Sequence, residues 1–163
     1  MSILKFIVIS AFSVFLLACE QAGYKQFKHD PVAFESSDEC HVCGMVITRF
    51  NGPKGQVFET RSNQMRKFCS TTELIFWYLQ PENKNNVAEI YVHDMSKTSW
   101  NKPDDTHLIL ARDAFFVINS DMQGSMGKTL VSFLSTRDAA IFTKEHGGQV
   151  ITFNALSLSL LAP

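Results

Sequence analysis

The stretch Phe68-Cys-Ser-Thr-Thr-Glu73 decides the fold prediction, because a similar stretch, Phe133-Leu-Ser-Thr-Arg-Asp138, occurs later in the chain. In each copy a serine is followed three residues later by an acidic residue. This spacing is typical of a helix N-terminus with a capping box or its aspartate variant. The two stretches therefore predict two helices at equivalent positions of an internal repeat.

The elements around the two stretches repeat as well. In the first copy the sequence predicts the strand pair Met45–Arg49 and Gln56–Thr60, then the helix Thr71–Gln80, then the strand Val87–Val92. In the second copy it predicts the strand pair Ala114–Asn119 and Thr129–Phe133, then the helix Thr136–His146, then the strand Gln149–Phe153. Pro81 and the glycine pair 147–148 end the two helices. The order strand, strand, helix, strand occurs twice. We expect an α+β protein made of two ββαβ halves, residues 39–95 and 96–163.

The N-terminal residues predict export and a lipid anchor. An apolar run of residues 6–17 follows Lys5 and is shorter than the roughly 20 residues that cross a membrane. Residues 1–18 are therefore predicted to be a signal peptide. The sequence Leu16-Leu-Ala-Cys19 resembles the bacterial lipoprotein processing box, so Cys19 is the expected lipidation site, and Glu20 favours the outer membrane, facing the periplasm. Residues 19–38 are polar and predict a flexible tether.

Composition and cysteine usage narrow the function. The chain is 45% hydrophobic and 12% aromatic with a net charge of −1, which favours a globular body and gives no reason to expect nucleic-acid binding. With Cys19 lipidated, three of the four cysteines remain. An odd number of thiols in an oxidising compartment argues against a complete disulfide framework and favours protection by a metal. The alternative is a Cys40–Cys43 disulfide with Cys69 buried as a small apolar residue.

The run Glu39-Cys-His-Val-Cys-Gly-Met45 is the main candidate metal site. Thiolates and thioethers are soft ligands that favour Cu(I), and Gly44 permits the bend that turns Cys43 and Met45 toward one point. His41 is interpreted either as a ligand or as a solvent-facing residue at a strand end. The competing function is a thiol–disulfide oxidoreductase that works through Cys40 and Cys43.

Other donors are assigned less directly. The loop Met122-Gln-Gly-Ser-Met126-Gly127 holds two methionines outside any periodic apolar pattern, and Met126 is the preferred soft ligand. Cys69 is interpreted as a buried structural residue, and His93 as a distant candidate ligand. Glu39 and His41 are harder donors than the sulfurs, so Zn(II) is a candidate second ion beside Cu(I).

The motif at residues 39–45, together with Gly52-Pro-Lys-Gly-Gln56, Phe68-Cys-Ser-Thr71 and Gly147-Gly-Gln-Val150, resembles the NosL lipoprotein family. The resemblance implies a Cu(I) chaperone that is not an enzyme. Its partners would be nitrous oxide reductase and the assembly machinery of that enzyme during denitrification. It also implies two ββαβ units like those of the organomercurial lyase MerB. Where the family often has Pro-Met-Gly, this chain has Ser125-Met-Gly127, which keeps the methionine and loses the rigid proline.

Overall fold

Two antiparallel sheets, each with one main helix, organise the part of the chain described by the computed structural model, residues 29–161. The signal peptide, Cys19 and the first part of the tether, as predicted above, lie outside the described residues. The strands are β1 (Gly55–Glu59), β2 (Met65–Phe68), β3 (Val87–His93), β4 (Leu108–Leu110), β5 (Phe115–Ile118), β6 (Gln123–Gly124), β7 (Gly127–Lys128), β8 (Val131–Phe133) and β9 (Gln149–Thr152). The helices are α1 (Thr71–Tyr78), α2 (Pro81–Lys84), α3 (Thr136–His146) and α4 (Leu158–Leu161). The protein is thus a mixed α+β domain.

The larger sheets have related strand orders. The first sheet runs β2-β1-β3-β4, and the second runs β8-β5-β9. In the first sheet β1 is central and pairs antiparallel with β2 on one side and with β3, which follows the helices, on the other. In the second sheet β5 is central and pairs antiparallel with β8 on one side and with β9, which follows α3, on the other. All five residues of β1 are buried. A separate two-stranded hairpin, β6–β7, projects from the second half.

The predicted strand Met45–Arg49 is wrong. Val46 forms one isolated bridge with Glu39, and Ile47–Arg49 is a short 3₁₀ helix. Ile47 is fully buried, so the β-branched pair Val46-Ile47 marks a core contact and not a strand. The partner of β1 is instead β2, joined to it by a turn in which Asn63 has a φ of 52°.

The second half follows the prediction closely. Helix α3 spans Thr136–His146 as predicted, and β5, β8 and β9 lie within the predicted strands. Its N-cap Ser135 accepts a hydrogen bond from the backbone of Arg137. In the first half, α1 ends earlier than predicted, and Pro81 occupies the first turn of α2, a position where its missing N–H costs nothing.

Residues 29–38, predicted as part of the flexible tether, are attached to the first sheet. The side-chain amide of Gln56 exchanges two hydrogen bonds with the backbone of Val32. The backbone N–H of Phe34 donates to Asp105 Oδ2 at 2.8 Å, and Lys67 Nζ donates to the carbonyl of Ala33 at 2.9 Å. The folded body therefore begins before Cys40, and the tether is shorter at this end than the sequence predicted.

Two apolar clusters form the core and bring the halves together. The main cluster lies around the first sheet and α1, and a smaller one, containing Val131 and Ala139, lies between α3 and the second sheet. Ser132 Oγ donates to the carbonyl of His93 at 2.7 Å, and Thr71 Oγ1 donates to the carbonyl of Leu130. The first bond joins β8 to the end of β3, and the second places the beginning of α1 beside Leu130, directly before β8. Among residues 29–161, none of the helices has the length and apolar character needed to cross a membrane.

Candidate metal centre

The Cys40–Met45 segment forms a tight loop. Its ends are tied by a hydrogen bond of 2.9 Å from the N–H of Cys40 to the carbonyl of Met45, and the Glu39–Val46 bridge lies just outside it. Gly44 donates to the carbonyl of Cys40 at 2.9 Å with a φ of +70°, a conformation that other residues adopt at a steric cost. The loop therefore carries both cysteines on one short turn of chain.

Cys69 and Glu73 come from the beginning of α1. Cys69 follows β2 directly and precedes the N-cap Ser70, whose hydroxyl accepts from the N–H of Glu73 at 3.1 Å. This is one half of the predicted capping box. Glu73 is the third residue of the helix, from which a side chain can turn back toward the residues before the helix, as in a capping box, and its carboxylate lies against the cysteine sulfurs. Cys69 is buried, as the sequence predicted, and it lies in the same cluster as Cys40 and Cys43.

Four ligand atoms meet at this point. The sulfurs of Cys40, Cys43 and Cys69 and a carboxylate oxygen of Glu73 all lie within 4.8 Å of one another. Glu73 Oε2 is 2.7 Å from Cys69 Sγ, 3.3 Å from Cys40 Sγ and 3.9 Å from Cys43 Sγ. The Cys43 and Cys69 sulfurs are 3.6 Å apart. All three cysteines of the described residues are free thiols.

The surroundings of the three thiols shift their pKa values in different directions. A hydrogen bond with the Cys69 thiol lowers the pKa of Cys40 to about 4, helped by backbone N–H groups of Val42 and Cys43. The same interaction, together with burial, raises the pKa of Cys69. Burial also raises the pKa of Cys43 and that of the Glu73 carboxyl. The interaction between Cys40 and Cys69 therefore favours the thiolate at Cys40 and the protonated thiol at Cys69.

This donor set fits a metal ion. Sulfurs bound 2.3 Å from a tetrahedral Zn(II) lie about 3.8 Å apart, close to the 3.6 Å between Cys43 and Cys69. Three thiolates with one carboxylate supply the four donors of a closed zinc site, and thiolates are also preferred ligands of Cu(I). The cluster is mostly buried, with Cys40 3% exposed, so bound metal would be shielded from water on most sides.

The other predicted donors lie around this cluster. Met45 is half-buried and packs against the main core, and Met126 is 60% exposed at the tip of the β6–β7 hairpin. Glu39 and His41 are exposed, and the four-residue cluster does not include them. His41 donates its backbone N–H to the carbonyl of Lys67 at 2.8 Å and presents its ring edge-on to Trp77. The structure therefore brings Cys40 and Cys43 together and adds Cys69 and Glu73, which the sequence analysis missed as ligands.

His93 belongs to a separate buried network. Its Nδ1 accepts from the backbone of Lys54 at 3.1 Å, and its Nε2 lies 3.0 Å from Asp105 Oδ1. Lys54 Nζ in turn donates to the carbonyls of Phe50 and Gly52. Since both ring nitrogens have partners within the protein, the network explains His93 without a metal.

The fold and the cluster define the class of the molecule: a small α+β protein with a preformed cluster of three cysteines and one glutamate that could hold a metal ion. The model of the NosL family matches residues 31–161, and the chain belongs to the NosL family. A copper-binding lipoprotein NosL from Stutzerimonas stutzeri is 48% identical over 146 residues, which cover 90% of this chain and 76% of that protein. A protein of the same name from Achromobacter cycloclastes is 31% identical over 151 residues, covering 91% of this chain and 77% of that protein.

Two solved structures are similar to this one. The crystal structure of the copper chaperone NosL from Shewanella denitrificans matches with a TM-score of 0.80 and 42% identity, covering 81% of this chain and 98% of that chain. The solution structure of apo-NosL from Achromobacter cycloclastes matches with a TM-score of 0.51 and 30% identity, covering 66% of this chain and 88% of that chain. The mixed α+β fold is therefore the fold of this family.

Proposed function

We propose that this protein is a copper chaperone that binds Cu(I) at the Cys40–Cys43–Cys69–Glu73 cluster and delivers it to the copper centres of nitrous oxide reductase without catalysing a reaction. The observation that carries the proposal is the convergence of three free thiols on one point. The relatives are named as copper-binding lipoproteins and as a copper chaperone, which supports copper as the cargo.

Release of the cargo is as important as binding. Cu(I) accepts few ligands and prefers sulfur, so an acceptor's thiolate or thioether can bind before the donor's ligands leave. Cys43 is half-buried and its neighbour Val42 is 54% exposed, so the Cys40–Met45 loop offers an approach to the cluster. Met45 and Met126 are the thioethers that we propose as additional Cu(I) ligands.

A second ion is part of the proposal. Zn(II) commonly takes four ligands and accepts carboxylate oxygen, which Glu73 supplies at the cluster. The sequence pointed to Glu39 and His41 as the harder donors, and their exposed positions leave Glu73 as the better supported one. We propose that Zn(II) orders the cluster while Cu(I) is the ion that is transferred.

The proposed location rests on the N-terminal sequence, and the proposed partners rest on the family resemblance. We propose that Cys19 is lipidated and that the protein faces the periplasm from the outer membrane, where nitrous oxide reductase and its assembly machinery would be its partners. The related strand orders of the two sheets support the proposal that the halves are repeats of a MerB-like ββαβ unit.

The test is anaerobic loading of the reduced, full-length protein in detergent with Cu(I), followed by mixing with copper-free nitrous oxide reductase. The proposal expects tight Cu(I) binding at a defined stoichiometry and the appearance of copper-centre absorption in the enzyme. A reduced protein that binds no Cu(I) would contradict it. A thiol–disulfide oxidoreductase is less well supported because a third thiol and a carboxylate share the site. A redox titration that showed rapid exchange at a catalytic potential would favour that alternative.

A further inference from the structure

The β6–β7 hairpin carries a contact from the second half of the chain to the cysteine cluster. Gln123 pairs with Lys128 and Gly124 with Gly127, which leaves Ser125 and Met126 as the two turn residues. Ser125 Oγ donates to the sulfur of Cys69 at 3.1 Å and lies 3.3 Å from the carbonyl oxygen of the same residue. The turn is therefore attached to a residue of the cluster through one side chain.

The base of the hairpin is supported separately. The indole Nε1 of Trp100 donates to the carbonyl of Gln123 at 3.3 Å. A Cβ placed on Gly124 would lie 3.1 Å from Thr129, so the hairpin packs closely on the chain behind it. These contacts hold β6 and β7, and Ser125 adds a contact from the turn itself to the cluster.

The exposure of Met126 suggests what this attachment does. Its side chain is 60% exposed and lines one side of a cleft of about 540 Å³ together with Thr72 and Leu160. Most of its apolar surface therefore remains in water, so burial contributes little to fixing the thioether. A hydrogen bond from the adjacent residue to Cys69 limits where the thioether can go.

We infer that Ser125 is a positioning residue, whose hydrogen bond to Cys69 holds the Met126 thioether beside the three thiols so that both halves of the chain serve one metal site. The inference rests on the proposed function for its Cu(I) part. The attachment of the turn to Cys69 is a property of the metal-free protein and is tested there.

The first experiment measures, by NMR, the hydrogen-exchange rates of the backbone amides of Ser125 and Met126 in the reduced, metal-free full chain, relative to the rates of an unstructured peptide. Ser125→Ala removes the hydrogen bond to Cys69 and should speed exchange in the turn roughly 2- to 10-fold, the range that the net strength of one hydrogen bond allows. Ser125→Thr keeps the hydroxyl and should restore the slow rate. Ser120→Ala is the matched control, because the Ser120 hydroxyl is buried in the same loop and has no hydrogen-bond partner among the described residues. Equal rates in Ser125→Ala and the parent protein would overturn the attachment.

The second experiment measures Cu(I) affinity by competition with a chromophoric chelator. Ser125→Ala should weaken Cu(I) binding roughly 2- to 10-fold when Met126 is present and have no effect in a Met126→Leu background. A loss of the same factor in both backgrounds would show that Ser125 acts on Cys69 alone and would overturn its role in positioning Met126. If the parent protein binds no Cu(I), the proposed function fails, and the exchange rates of the turn amides still decide whether Ser125 holds the turn to the cluster.

Discussion

Substitution of Cys69 by serine distinguishes between two roles of this residue, a buried structural cysteine and a metal ligand. The Cys69 side chain is fully buried, and its sulfur lies 2.7 Å from Glu73 Oε2. A serine hydroxyl is smaller and can donate to the same carboxylate, so the fold should survive. We expect the free energy of unfolding of the metal-free protein to fall by about 1 kcal/mol, because a buried thiol is replaced by a more polar group.

The effect on metal binding should be much larger. Structural Zn(II) sites bind with roughly 10–16 kcal/mol, or about 2.5–4 kcal/mol for each of four ligands, so one lost thiolate weakens binding by about 10²–10³-fold. Under metal concentrations that saturate the parent protein, the metal-induced gain in unfolding free energy should shrink by about 2.7–4.1 kcal/mol. The Cu(I) affinity should fall in the same direction.

The assay is chelator competition for Zn(II) and Cu(I), combined with urea unfolding in the presence and absence of metal. Cys40→Ser is the positive comparison, and His41→Asn is the matched control, since His41 is exposed and outside the four-residue cluster. His41→Asn should leave the affinity within about threefold, well under 1 kcal/mol. A folded Cys69→Ser protein with parental affinity for both ions would show that Cys69 is not a ligand and has only a structural role.

Other predictions address the surroundings of the site. Burial lowers the pKa of Lys54 from 10.5 to about 8, so between these values the unfolded chain binds more protons and stability rises with pH. Across that range the parent should gain about 3 kcal/mol over Lys54→Gln in urea unfolding, and parallel pH profiles would contradict this. Gly148→Ala should cost about 2 kcal/mol or more in urea unfolding, because its φ is +92° and a Cβ would overlap a backbone carbonyl oxygen of β5; a parental midpoint would refute it. Met45→Leu and Met126→Leu should each cost less than about 1.5 kcal/mol in stability while lowering Cu(I) affinity, and unchanged affinity would remove that methionine from the site.

The repeat made the second half predictable and partly misled the prediction of the first. Helix α3 begins at a serine N-cap and ends at two glycines, so local signals alone define it. Ile47 shows the opposite case, because a short apolar run that is buried in the core is indistinguishable in sequence from a strand. The true partner, β2, reads Met-Arg-Lys-Phe and lacks the alternating apolar pattern of a half-buried strand.

Two of the four residues of the cluster, Cys40 and Cys43, could be predicted from the sequence. Cys40 and Cys43 are three residues apart, so their proximity follows from the local chain. Cys69 lies near them because the backbone N–H of His41 donates to the carbonyl of Lys67, two residues before Cys69. This contact depends on the tertiary fold. Glu73 had a sufficient explanation as a capping-box residue, and that explanation hid its carboxylate. The available signal for a shared site was the position of Cys69 just before the N-cap, because the side chain of Glu73 at the third helical position can turn back toward it.

We propose that the four residues Cys40, Cys43, Cys69 and Glu73 together form the metal site. Its most direct test is a crystal structure of the protein loaded anaerobically with Cu(I) and Zn(II), with anomalous scattering recorded at both metal edges. We expect at least one peak about 2.3 Å from the sulfurs, with a copper signal that involves the thiols of this cluster. Peaks confined to other positions, such as Glu39 and His41, with the three thiols free of metal, would contradict it.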